Sequence, residues 1–199
     1  MRRALRYLAP LIAAFAAVLT LSTSAFAGTV TPGGPFTAAT SPWVIGNPVT
    51  GVNITCGTLN LGGTLMSSST PVIGHVSSAT ATMCSGPAGL TFTMSFLGLP
   101  WTVNETTYNA TTGVATGTLT GFRVQLSGIC KATIAGPGGA GVGGTLGWSH
   151  NNSVPQTLTV TSGSLVLYNV TGCLGLLNNG NAVTVGTGAY TLSPPQSIS

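Results

Sequence analysis

Residues 90–96 read Leu-Thr-Phe-Thr-Met-Ser-Phe, so Leu90, Phe92, Met94 and Phe96 share one face and Thr91, Thr93 and Ser95 the other. An apolar/polar alternation of period two, rich in aromatic and β-branched residues, is what a strand with one face in a core requires. The pattern recurs on either side. In FRVQL, Phe122, Val124 and Leu126 alternate with Arg123 and Gln125, and in VNITC, Val52, Ile54 and Cys56 alternate with Asn53 and Thr55. SLVLYNV (164–170) is apolar on nearly both faces, which suits a central strand covered on both sides. AVTVGTGAYTL (182–192) reads as one last long strand with glycines where a bend or bulge sits.

Turn clusters such as NATTG, AGPGGAG, SHNNS and LNNGN separate these runs, and no segment after residue 27 carries a helical period. The expected fold is all-β: an antiparallel β-sandwich of Greek-key type, or a barrel, of about ten short strands. Residues 28–50 hold four prolines and read as an extended lead-in with a short edge strand near Trp43-Val44-Ile45. Residues 51–195 form the single β domain, and 196–199 a C-terminal tail.

The formal charge of +4 is misleading, because Arg2, Arg3 and Arg6 precede an apolar run that ends in Ala25-Phe26-Ala27. A basic start, an apolar core and a small-residue A-x-A end make a secretory signal peptide over 1–27, with cleavage expected after Ala27. The mature chain then keeps Arg123 and Lys131 against Glu105, a net charge of +1. Two cations cannot neutralise the run of phosphates that nucleic-acid binding demands, so that partner class is excluded. A secreted, extracellular protein with no transmembrane helix is expected.

Four cysteines in an exported chain are expected to form disulfides. They allow three pairings. TCGTLNLGGTL is followed by Cys84, 28 residues after Cys56, and ICKATIAG…GVGGTLGW by Cys173, 43 residues after Cys130. Each half thus runs from a Cys strand to Gly-Gly-Thr-Leu and on to a second Cys. The echo favours Cys56–Cys84 and Cys130–Cys173. It divides the domain into similar halves, 51–125 and 126–195, either a duplication or two halves with similar needs.

GLTFTMSFLGLPWTVNETTYNATTGVATGTLTG and LYNVTGCLGLLNNGNAVTVGTGAYTLSP resemble uncharacterised secreted β-rich proteins of actinobacteria, over roughly residues 50–195. The resemblance implies export and a disulfide-bonded β fold. It brings no activity and no site residues.

Chemistry-bearing groups are scarce. No cysteine sits in a C-x-x-C pair, and His75, His150 and Glu105 are too few for an expected zinc site. His75 reads as a hydrogen-bonded strand residue and His150 as a solvated turn residue. No serine sits in a G-x-S-x-G elbow, and one carboxylate cannot supply the pair that glycosidases use. No cofactor, metal or catalytic residue is expected. One candidate ligand site remains in LPWTVNETTY, where Trp101 and Tyr108 flank Asn104 and Glu105, a ring-plus-amide combination suited to sugars. The competing reading points Trp101 into the core. The function expected is a non-enzymatic binding or structural component of the cell surface, with cell-wall polysaccharide or another surface protein as partner. A self-assembling coat protein is the alternative, ahead of an envelope β-barrel pore or a hydrolase.

Overall fold

A computed structural model describes residues 28–153, 155–186 and 188–199. The signal peptide expected over 1–27 lies outside the described residues. The alternating segments all become strands, and the sole helical element among the described residues is a 3-10 turn at Pro87–Gly89. No helix among the described residues is long and apolar enough to cross a membrane.

Chain order builds eight long staves. The first is β2 (Gly34–Thr40) followed by β3 (Trp43–Asn47), the second β4 (Val52–Cys56) with β5 (Thr58–Leu65), and the third β6 (Val72–Thr82) with β7 (Cys84–Ser85). The fourth is β8 (Thr91–Leu97) with β9 (Trp101–Asn109), and the fifth is β10 (Val114–Ser127) alone. Then come β11 (Lys131–Ala135) with β12 (Gly144–Asn151), β13 (Thr157–Thr171) alone, and β14 (Ala182–Val185) with β15 (Ala189–Ser193). Each stave pairs antiparallel with its sequence neighbours, and the eighth closes on the first.

Closure happens twice along the axis. In the upper half β2, β5, β6, β9, β10, β12, β13 and β15 pair in a ring. In the lower half β3, β4, β7, β8, β10, β11, β13 and β14 do the same. The protein is thus one elongated up-and-down barrel with a waist. The expected all-β antiparallel fold and both disulfides are present, Cys56–Cys84 and Cys130–Cys173. Of the two architectures the barrel is the one formed, and its connections are those of a meander rather than a Greek key.

The waist is written in glycine and proline. Six staves break there, at Ser41-Pro42, Gly57, Met83, Gly98-Leu99-Pro100, 136–143 and 186–188, while β10 turns through Gly121, whose φ of +96° disfavours a side chain. The run expected as one last strand is therefore two, because 186–188 carries the chain from β14, beside β3, to β15, beside β2. Residues 28–50 are not merely a lead-in: 34–47 form the first stave, the strand expected near Trp43-Val44-Ile45 is its β3, and Trp43 is buried. Nor is 196–199 a loose tail. Its β16 (Ser197–Ile198) pairs with β1 (Val30–Thr31) as a ribbon against the upper end of the barrel. Both compartments draw strands from both sequence halves.

Inside, the waist is partitioned by aromatic rings. Trp43 and Phe96 lie 6.0 Å apart, Phe96 and Trp101 5.8 Å, Trp101 and Phe122 4.9 Å. Below this layer Ile45, Ile54, Leu126, Ile134, Leu167 and Val183 fill the interior almost completely, leaving about 10 Å³. Outside, threonine hydroxyls pair across strands, Thr107 with Thr116 and Thr58 with Thr82, each at 2.7 Å. Apolar residues point in and threonines out, the arrangement the alternation specified.

Candidate functional site

The four residues LPWTVNETTY offers do not form a surface. Trp101 is 1 % exposed, and its Nε1 donates to the Leu97 carbonyl at 2.9 Å. Glu105, also 1 % exposed, lies inside the upper compartment. A β-bulge between Glu105 and Thr107, opposite Gly117 and Thr116, resets the alternation and turns Tyr108 towards the core, where it is half-buried. Asn104 points the other way, reaching Thr120 Oγ1 at 3.5 Å. A pyranose needs an exposed flat ring beside its hydrogen-bonding groups, so the sugar-site reading fails on the burial of Trp101. The bulge could not be seen in a sequence that alternates without a visible break.

The upper compartment instead encloses an apolar cavity of about 60 Å³ between the aromatic layer and the terminal ribbon. Leu61, Val103, Leu119, Leu158 and Val160 face it from four strands and stay half-buried although they point inward. The difference from the filled lower half is side-chain size: Ala38, Ala115 and Gly117 stand on the upper inner face. Gly117 is obliged to be small, because a Cβ there would overlap the Trp148 ring and the Asn104 carbonyl. A water-sized group occupies roughly 10–15 Å³ by this measure, so the cavity has room for about four. Its walls offer almost no polar partner to hold water in place.

Two polar side chains line the upper end. His150, expected as a solvated turn residue, is fully buried on β12, with Nε2 2.8 Å from the Gln196 carbonyl. Burial lowers its pKa, opposed by backbone contacts to Gln196 and Thr157. Gln196 is likewise fully buried and accepts a 2.9 Å hydrogen bond from the Gly33 N–H. The pair fixes the ribbon to the barrel. His75 does lie on a strand, β6, but its Nδ1 has no hydrogen-bond partner among the described residues.

Glu105 is the chain's single acidic residue, and neither carboxylate oxygen has a hydrogen-bond partner among the described residues. Desolvation raises its pKa from 4.5 to about 7. A folded-state pKa above the unfolded value stabilises the fold at low pH, and that stability is lost as pH rises through about 7. While Gly28 carries a peptide bond on its nitrogen, the melting temperature should therefore fall between pH 5 and 8, and Glu105→Gln should flatten the profile. Thermal melts across that range check this; parallel profiles for both proteins would contradict it.

No cluster of three or more metal-ligating side chains occurs among the described residues. Compared with protein-family models, curated proteins and solved structures, the chain finds no match. The site must be read from its own geometry.

Proposed function

We propose that this is an exported, non-enzymatic binding protein of the cell surface, whose upper lumen takes a small apolar ligand such as a short alkyl chain or a single ring. The observation that carries the reading is the lumen itself, an apolar space ringed by all eight strands of the upper half, with inward side chains that do not meet. Eight-stranded barrels have an interior just wide enough either to be filled or to hold one small ligand. This chain does the first below its waist and the second above it. The scarcity of titratable groups supports binding over catalysis. Threonines outside and apolar residues inside are the reverse of a membrane pore, and ring closure leaves the barrel itself no free edge for the edge-to-edge assembly of a coat.

Titrating the secreted protein with straight-chain alcohols of increasing length, read by calorimetry, tests the reading. Saturable binding with an optimum of about four to six carbons is expected, and Leu119→Trp, which fills the cavity, should reduce affinity at least tenfold. Binding that grows without an optimum, or survives Leu119→Trp, would place the ligand outside the lumen. Retention on isolated cell wall or purified polysaccharide, with no alcohol binding, would favour a purely surface-layer role.

A further inference from the structure

Glu105 is a buried carboxylate without a counter-ion among the described residues, and an unpaired charge out of water costs several kcal/mol. The groups packed around it do not supply one. Across β10 it faces Gly117, on β6 the apolar Ile73, and in the preceding loop the Pro71 carbonyl accepts its backbone N–H. The burial pattern of β6 turns Val76 inward and His75 to the other face. Both fixed cations lie elsewhere, Arg123 against Gly98 at the waist and Lys131 at the exposed start of β11.

What does meet Glu105 is Gly28. A Cβ on Gly28 would overlap Glu105 Oε2 and Ile73 Cγ2, so a side chain here would have to displace them. The Gly28 nitrogen sits about 2.5 Å from that Cβ position on the same tetrahedral carbon, and therefore within about 5 Å of the carboxylate. The backbone here is held firmly. Ser68 N–H donates to the Gly28 carbonyl at 2.9 Å, Ser199 N–H to the Thr29 carbonyl at 2.9 Å, and Val30 N–H to Ser67 Oγ at 2.9 Å.

We infer that Glu105 is the receptor for the N-terminus created by leader removal: the α-ammonium of Gly28 folds against this carboxylate and locks the terminal ribbon onto the barrel. The inference rests on the expected cleavage after Ala27, not on the ligand assigned to the lumen. Hydrolysis of the Ala27–Gly28 amide consumes one water, leaves the new carboxylate on the leader and gives Gly28 an amine that is largely protonated at neutral pH. A neutral amide nitrogen becomes a cation beside a carboxylate that has no partner among the described residues. An exported chain would thus complete its fold only after processing, and one residue more or less at the N-terminus would misplace the charge by about 3.5 Å.

Because the chain has one glutamate and no aspartate, ¹³C-glutamate labelling gives a single side-chain carboxyl signal to titrate by NMR. In the processed protein starting at Gly28, Glu105 should stay ionised down to about pH 5 or below. In a chain that retains Ala27 it should titrate near the value of about 7 that burial alone imposes. Identical titrations in the two chains would overturn the inference, as would a secreted protein whose N-terminal residue is not Gly28. Glu105→Gln should lower the melting temperature of the Gly28 chain by roughly 5 °C more than that of the Ala27 chain; equal losses would also overturn it. If that variant fails to fold, the titration decides alone.

Discussion

Replacing all four cysteines with alanine should lower the unfolding free energy by about 7–8 kcal/mol, enough to leave much of the protein unfolded at 37 °C. The two bonds span 28 and 43 residues, and closing loops of those lengths contributes about 3.5–4 kcal/mol each in the chain-entropy account. Their places in the barrel say what each constrains. Cys56–Cys84 joins the second and third staves at the waist, where the Cys56 sulfur lies 3.7 Å from Met94 Sδ. Cys130–Cys173 ties the β10–β11 turn to the end of β13 at the bottom, with both residues buried. The loop lengths differ too little to separate the pair, so each double variant, Cys56→Ala/Cys84→Ala and Cys130→Ala/Cys173→Ala, should lose a similar amount. Denaturant unfolding under non-reducing conditions measures this. A loss below about 1 kcal/mol for either, or a free thiol in the secreted protein, would contradict the assignment.

Trp101→Ala should cost about 3–5 kcal/mol, the range for emptying a large aromatic site in a core. The ring is the centre of the waist partition, packed between Phe96 and Phe122, and its N–H satisfies the Leu97 carbonyl. Truncation leaves a void next to the existing lumen and a carbonyl without its donor. Trp101→Phe keeps most of the packing and should lose only about 1–2 kcal/mol, chiefly the hydrogen bond and part of the volume. A surface tryptophan serving as a sugar platform would behave otherwise, with changes near 0.5 kcal/mol or less on truncation. Denaturant midpoints for the three proteins therefore separate the core role from the surface role directly.

How much of this was legible beforehand depends on the range of the interaction involved. Leu90–Phe96 and Phe122–Leu126 announce their faces by alternation, since side chains two apart on a strand share a side whatever the partner strand is. The disulfide pairing was legible from the echo of Cys strand, Gly-Gly-Thr-Leu and second Cys. The strand at Trp43-Val44-Ile45 is legible, but its place inside the barrel is not, because the prolines and glycines around it resemble a linker when they mark the breaks of a stave. His150 was misplaced because Ser-His-Asn-Asn-Ser looks like a turn, although the turn begins only at Asn152. Glu105 was visible as the lone acid, yet nothing near it in sequence reveals that Gly28 is its neighbour.

By itself the sequence determined an all-β, disulfide-bonded chain, because alternation and cysteine spacing are local or nearly local properties. Tertiary structure alone decided that the staves close into one barrel with a filled lower half and a hollow upper half. It also decided that a bulge at 105–107 would turn a candidate sugar surface inward, and that the chain's one carboxylate side chain would be buried beside Gly28. Ring closure and burial depend on which distant strand supplies the neighbouring face, and no local pattern records that.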